Sequence, residues 1–426
     1  MKTTELWKRN LVILWFGNFF VLAGMNLIIP FLPLYIQELG VKDIHHVELW
    51  AGVIFAGAPL LSATFSPLWG KLSDRYGRKI MLIRSGIGMG IVMILMGFAK
   101  SPLQLLLLRL MMGTISGFIP TSTALQATET PKEHAGRALG ILQTGNVTGS
   151  LIGPLLGGVL AEWIGIRNVF YLTGTALLLA AIIVILGVHE SKTYERFSFR
   201  RRVHRNLDRK RDSKESKSDA NPPVTDKQRG IRSIVKEYPI LLALFLSSFL
   251  IMAGMQSIEP IITVYIQSLH VQSHIAVVGG LVFAASGIGT ILAAPILGRL
   301  GDRYGNQRIL MAALLIMAVL YIPQAFVRTP WELMALRLLM GLCIGGLLPS
   351  INAMIRKVTP NASQGVVYGF NAAAVGFGSV GGPLFGGFIA SHIGISYIFF
   401  FTSAFFLFNF LWIVYHVKTN AKSQAI

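Results

Sequence analysis

Hydrophobic residues in this chain fall into twelve long runs separated by polar intervals. The runs cover roughly residues 10–37, 47–70, 80–99, 102–127, 136–162, 167–188, 239–267, 275–298, 308–327, 330–355, 364–391 and 396–416. A helix needs about 20 predominantly apolar residues to cross a bilayer, and each run meets that requirement. The pattern predicts an all-α membrane protein with twelve transmembrane helices. The first run is too long for a cleaved signal peptide, and no small-residue cleavage site follows it. One polar interval, 189–236, is long and holds 15 Lys+Arg against 7 Asp+Glu, with Arg200-Arg201-Arg202 and the breaker Asn221-Pro222-Pro223. Its low hydrophobicity and high charge predict a linker without fixed structure. A second role for it is electrostatic contact with anionic lipid. The predicted units are a six-helix bundle over 1–188, the basic linker 189–236 and a second six-helix bundle over 237–426.

The two units repeat one another. Gly70-Lys71-Leu72-Ser73-Asp74-Arg75-Tyr76-Gly77 returns as Gly298-Arg299-Leu300-Gly301-Asp302-Arg303-Tyr304-Gly305, 228 positions later. Pro30-Phe31-Leu32-Pro33-Leu34-Tyr35-Ile36-Gln37 matches Pro260 to Gln267, Arg109-x-x-x-Gly113 matches Arg337-x-x-x-Gly341, and Gly153-Pro154-x-x-Gly157-Gly158 matches Gly382-Pro383-x-x-Gly386-Gly387. Matches in one order at a nearly constant offset predict two pseudo-symmetric bundles. Parallel repeats of this kind are a signature of secondary transporters.

Charge fixes the orientation. The chain is 53% hydrophobic and 13% charged, with a net charge of +19. That charge would suit a nucleic-acid partner, but its distribution speaks against one. If the N-terminus is inside, 32 of the 38 Lys+Arg are cytoplasmic. Lys42, Lys100, Arg167 and Arg328 remain in outer loops, and Arg109 and Arg337 within helices. The positive-inside rule then places both termini and the repeated Asp-Arg loops in the cytoplasm. The single cysteine, Cys343, excludes an internal disulfide and reads as packing. No phosphate-binding loop, metal-ligand cluster or nucleophile–base pair stands out. No catalytic residue, metal or cofactor is therefore expected.

Ionisable residues inside a span cost roughly 2.5–3.5 kcal/mol on insertion scales, so they mark function by default. Arg109, Arg337 and Glu259 stand well inside. Counting at 1.5 Å per residue from the outer helix ends puts Glu259 and Arg337 both roughly 11 Å deep. They are expected to face one cavity and pair. Either the pair is static and fixes packing, or Glu259 is the exchangeable proton site, poised between desolvation and a neighbouring cation. Candidate cavity residues are Met25, Asn26, Phe31, Tyr35, Met255 and Tyr265, with the amides Gln126, Gln143, Asn146, Gln256 and Asn371. Methionine and aromatic side chains adapt to varied ligands, and an amide at depth wants a partner. Gly145, Gly149, Gly153 and Gly157 recur every fourth residue, a face that lets helices approach closely, and Pro154 permits a bend there.

The Gly70–Lys79 loop resembles the signature loop of the major facilitator superfamily between its second and third helices. Arg109-x-x-x-Gly113 resembles the superfamily's fourth-helix motif. Gly145 through Gly158 resembles the fifth-helix motif of antiporters, and Leu22 through Pro30-x-x-Pro33 the first-helix motif of twelve-helix drug:proton antiporters. The resemblance spans the chain outside the linker. It implies that Gly70, Asp74, Arg75, Gly77 and Arg78, with Asp302 and Arg303, form a cytoplasmic gate. It implies that Gly145, Gly149, Gly153, Pro154 and Gly157 seal the halves, and that Arg109 assists proton movement; the alternative for Arg109, which has no acidic partner in the first helix, is to bind backbone carbonyls. The chain departs from the pattern at Asn306-Gln307, which replace Arg78-Lys79 in the second copy, at Met112, and in a first helix without a carboxylate. The expected function is export of hydrophobic or cationic drugs, coupled to protons, across a bacterial plasma membrane, with lipids as surroundings. A nutrient importer or lipid exporter of the same fold, or a sensor that binds without moving solute, is the alternative.

Overall fold

The computed structural model describes residues 3–190, 238–269, 274–360 and 363–423. Apart from His189 and Glu190, the predicted linker lies outside the described residues. Among the described residues, twelve helices are long and apolar enough to cross a membrane. They are α1 (Leu6–Glu38), α2 (Ile44–Tyr76), α3 (Arg78–Gly97), α4 (Pro102–Glu129), α5 (Glu133–Ile164), α6 (Ile166–Gly187), α7 (Ile240–Ser268), α8 (Ile275–Tyr304), α9 (Asn306–Gln324), α10 (Pro330–Val358), α11 (Gln364–His392) and α12 (Tyr397–His416).

The repeat seen in the sequence recurs in local geometry. Ser101 caps α4 and Thr329 caps α10, each accepting a backbone N–H three residues on, and each is followed by proline. Such a pair satisfies a donor left free at a helix start. Both α1 and α7 break into a 3-10 turn, at Ile29–Phe31 and Glu259–Ile261. Pro30 and Pro260 lack the N–H that would carry the helix through. The repeated Asp-Arg segments are not loops as the hydropathy pattern suggests. Helix α2 continues through Gly70 to Tyr76, and α8 through Gly298 to Tyr304. Only Gly77 (φ +97°) and Gly305 (φ +95°) turn the chain, in a region that side chains with a Cβ rarely adopt. The charged residues end the apolar run without ending the helix.

Within each half, one seam of glycines sets the packing. Gly145, Gly149, Gly153 and Gly157 of α5 lie against the carbonyls of Trp15, Phe19, Ala23 and Leu27 of α1. Gly378, Gly382 and Gly386 of α11 lie likewise against Phe249, Ala253 and Ser257 of α7. Each half has its own apolar core, and Val264 and Ala276 of the second half join the first core.

The halves meet through α5 against α8 and α2 against α11. Gly158 lies on Ala276, Pro154 on Gly280 and Leu151 on Gly287. Gly52 lies on Pro383, and Gly387 on Glu48. These contacts are at the end of the bundle away from Gly77 and Gly305. Toward those two turns, hereafter the motif end, Gly136 and Gly140 of α5, Gly298 of α8, and Gly365 and Gly369 of α11 face open space. The molecule is sealed at its far end and parted at its motif end.

Candidate functional site

A cavity of about 480 Å³ lies where the seal stops, between the halves. Asn26 and Ile29 of α1 and Val147, Ser150, Leu151 and Pro154 of α5 form one wall. Met252, Met255, Gln256 and Glu259 of α7, with Phe283, Ser286, Thr290, Tyr321, Arg337 and Met340, form the other. The wall is mostly apolar, with polar groups convergent on the C-terminal side, as expected of a ligand site.

Glu259 sits at the break in α7, three residues beyond Gln256. That spacing puts both side chains on one face. With the Gln256 amide turned to donate, its nitrogen is 2.9 Å from Glu259 Oε1 and also reaches Oε2. Arg337 faces the same cavity and attracts Glu259 electrostatically. Its Nε and Nη2 are buried and make no hydrogen bond, and neither does the Tyr321 hydroxyl. A buried donor left unpaired costs about 1–3 kcal/mol. The cavity therefore presents one amide-bound carboxylate and two unsatisfied donor groups. The expected pairing becomes a shared cavity: Glu259 lies beside the Gln256 amide, which donates to it when so turned, and Arg337 Nε and Nη2 have no partner.

The other predicted site residues separate by location. Asn26, Met255 and Gln256 line the cavity. Arg109 does not: it is buried, with its guanidinium 6.0 Å from the Phe55 ring. Phe31 and Tyr35 lie in the N-terminal core, Phe31 against Phe170 at 5.8 Å and the Tyr35 hydroxyl donating to the Met96 carbonyl at 2.7 Å. Tyr265 donates to the Gln324 carbonyl at 2.6 Å, and Met25 packs on the N-terminal core. These side chains are committed to packing inside one bundle. Gln126 donates to the Trp7 carbonyl and to Thr130. Asn146 donates to Gln143 at 2.8 Å, one turn or less from the cavity wall at Val147. Asn371 accepts from Ser248 and donates to Asn352, tying α7, α10 and α11 together.

At the motif end, Asp74, Arg75, Asp302 and Arg303 are exposed. Asp74 Oδ1 is 3.8 Å from Arg78 Nη2, and Arg78 donates to the Ala124 carbonyl at 2.8 Å and to Thr128. These named contacts stay within one half. Gly145, Gly149, Gly153 and Gly157 face α1 of their own half; of the residues implied to seal the halves, Pro154 meets the other half, at Gly280, and Gly158 joins it there.

The sequence reading missed the far-end lock. Gln37 and Gln267 exchange hydrogen bonds, and Thr263 donates to the Pro30 carbonyl at 2.5 Å. Glu162 meets His274 at 2.5 Å and accepts from the Val277 N–H. The matched segments ending in Gln37 and Gln267 held the signal, because a pseudo-twofold brings equivalent residues face to face. Glu48, a second buried carboxylate, lies in the same seal.

A sequence profile described as Major Facilitator Superfamily matches residues 14–279 and 244–425. The multidrug resistance protein MdtG of Escherichia fergusonii is 39% identical over 424 residues, covering 99% of this chain and 97% of that one. MdtG of Proteus mirabilis is 41% identical, covering 95% of each. Among solved structures, a bacterial homolog of the human lysosomal transporter Spinster, inward-facing and occupied, superposes with a TM-score of 0.74 at 15% identity, covering 98% of this chain and 97% of that one. The nucleoside transporter NupG superposes with a TM-score of 0.74 at 13% identity, covering 96% and 99%. At such identities the two structures bear on the fold alone. The whole-length match in sequence, the twelve spans and the duplicated bundle agree: this integral membrane protein belongs to the Major Facilitator Superfamily.

Proposed function

We propose that this protein is a proton-coupled secondary transporter that exports amphipathic, partly cationic drugs across a bacterial plasma membrane. The observation that carries the reading is Glu259, the one carboxylate among the described residues lining the cavity, beside the Gln256 amide and sharing the cavity with Arg337, whose Nε and Nη2 have no partner. Relatives named multidrug resistance protein MdtG support the drug class. The concentration of Lys and Arg in the segments at the motif end supports a cytoplasmic motif end and cytoplasmic termini. On that assignment the molecule is open to the cytoplasm.

The residues define a cycle. Glu259 yields its proton to the cytoplasm through the open end. A cationic head then takes the carboxylate while its apolar body lies on Met252, Met255 and Phe283. Rocking of the halves about the cavity exposes the far side. There a proton neutralises Glu259 and the cation leaves. Arg337 keeps the empty, ionised site from holding a bare charge.

Proteoliposomes with an imposed proton gradient and a fluorescent cationic drug test this. Gradient-driven drug movement is expected from the wild type and is lost in Glu259→Gln, with drug binding retained. Equal gradient-driven movement in the variant would refute the assignment of Glu259.

A further inference from the structure

A second groove, of about 620 Å³, lies between α1 and α5 near their motif ends. It is separate from the central cavity. On α1, Ile13 packs on Gly187 of α6, and Trp15 packs on Gly145 of α5. At 3.6 residues per turn, Val12 and Phe16 project between those two directions. The groove therefore opens outward, on the face turned to the bilayer.

Its chemistry is divided by depth. Lys8, His134 and Arg137 stand at the outermost turns of the two helices, and among the described residues no carboxylate lines the groove. Trp7 organises this tier: its ring stacks on His134 at 5.6 Å, and Lys8 Nζ lies 5.8 Å from the ring centre. His134 and Arg137 also occupy the first two turns of α5, where the helix dipole favours an anion. Deeper in, Val12 (56% exposed), Phe16 (50%) and Ile141 (40%) leave an apolar floor. The Trp15 indole donates to Thr144 at 2.9 Å, so it offers the groove only its ring.

We infer that this groove binds an anionic phospholipid of the cytoplasmic leaflet. Its phosphate sits among Lys8, His134 and Arg137, and an acyl chain lies along Val12, Phe16 and Ile141. The inference uses only the sidedness proposed above and is independent of drug transport. A free phosphate would leave the apolar floor uncovered. A neutral lipid would leave the cations unmatched, and a cationic drug would be repelled by them. Anionic lipid is concentrated in that leaflet, and each basic side chain at its surface contributes about fivefold in affinity. Both helices also wall the central cavity, through Asn26 and Ile29 on α1 and Val147 and Pro154 on α5. One lipid lodged here braces the N-terminal wall of the transport site.

The test is native mass spectrometry of the full chain in detergent, titrated with phosphatidylglycerol or phosphatidylcholine of identical chains. The first phosphatidylglycerol is expected to bind about 25-fold more tightly than the first phosphatidylcholine. Lys8→Gln with Arg137→Gln abolishes the preference. Lys8→Arg with Arg137→Lys keeps it, which separates lost charge from lost fold. Val12→Trp fills the floor, leaves the charges in place, and also removes the tight lipid. Equal binding of the two lipids by the wild type overturns the inference. So does an unchanged preference in the neutralised pair or in Val12→Trp.

Discussion

Gly157 and Gly158 are adjacent in α5, yet substitution of each by alanine has a different consequence. A Cβ on Gly157 would stand 2.0 Å from the Leu27 carbonyl oxygen of α1, and one on Gly158 would stand 2.2 Å from the Ala276 carbonyl oxygen of α8. Since Cβ contacts under 3.0 Å are essentially never seen, the backbones must part by about 1.0 and 0.8 Å. Overpacking of this size costs about 1–3 kcal/mol. The α1–α5 contact lies inside one bundle and persists as the bundles rock. Gly157→Ala therefore lowers thermal stability and leaves the conformational balance alone. The α5–α8 contact belongs to the far-end-sealed state only. Gly158→Ala penalises that state selectively, which shifts the ratio of open to sealed far ends by about 5- to 150-fold. The assay is alkylation of intact cells with an impermeant maleimide, using Ile29→Cys as cavity reporter in a Cys343→Ser background. Labelling is expected to rise with Gly158→Ala and to stay at the parent level with Gly157→Ala. Equal labelling of the two variants, both folded, would refute the division of α5 into an internal and an inter-half face.

Three further outcomes follow from individual contacts. Glu162→Gln removes the charged partner of the largely exposed His274 at the far-end lock, and the same labelling assay should show an increase of at most about fivefold. Tyr265→Phe frees the Gln324 carbonyl and should lower stability by about 0.5–1.5 kcal/mol, whereas Tyr321→Phe removes a hydroxyl with no partner and should leave the melting temperature unchanged or raised. Glu190→Gln weakens the anionic cap on α3, where the carboxylate accepts from Arg78 N at 2.8 Å and Lys79 N at 2.9 Å. A loss of about 0.3–1 kcal/mol there should speed hydrogen exchange at those two amides by about two- to fivefold.

The duplicated, twelve-span fold was legible because span length and repeat order are one-dimensional properties. Which face of each helix meets the cavity was not, because a helix surrounded by lipid and protein is apolar all round. Phe31, Tyr35 and Tyr265 illustrate this. They look like cavity aromatics by composition and by helix, but their rings and hydroxyls complete the bundle cores. Depth counting put Glu259 and Arg337 at one level, and both line one cavity, though they do not pair. The Gln256 amide that holds Glu259 was visible only as a polar candidate. Its relation to the carboxylate depends on a side-chain orientation that spacing permits but does not specify. The Asp-Arg segment was misjudged as a loop because helices outlast their apolar runs wherever water can solvate the last turns.

The repeat also explains how a symmetric scaffold acquires a directional site. An offset of 230 pairs Asn26 with Gln256 and Ile29 with Glu259, and all four line the cavity. An offset of 228 pairs Arg109 with Arg337, yet only Arg337 reaches it. The N-terminal half thus contributes an amide and an apolar wall where the C-terminal half contributes an amide, a carboxylate and a guanidinium. Motion needs the symmetry, because matched seams and matched breaks at Pro30 and Pro260 let the halves rock as equivalent bodies. On the role proposed for Glu259, coupling needs the asymmetry. Two symmetric carboxylates facing each other across one cavity would repel and shift each other's protonation, whereas one carboxylate titrates in a single step that a single cation can oppose. Ile29→Glu would restore the lost symmetry. It is expected to abolish gradient-driven drug movement in proteoliposomes while leaving the fold intact. Unimpaired coupling with two cavity carboxylates would show that the asymmetry of the halves is incidental.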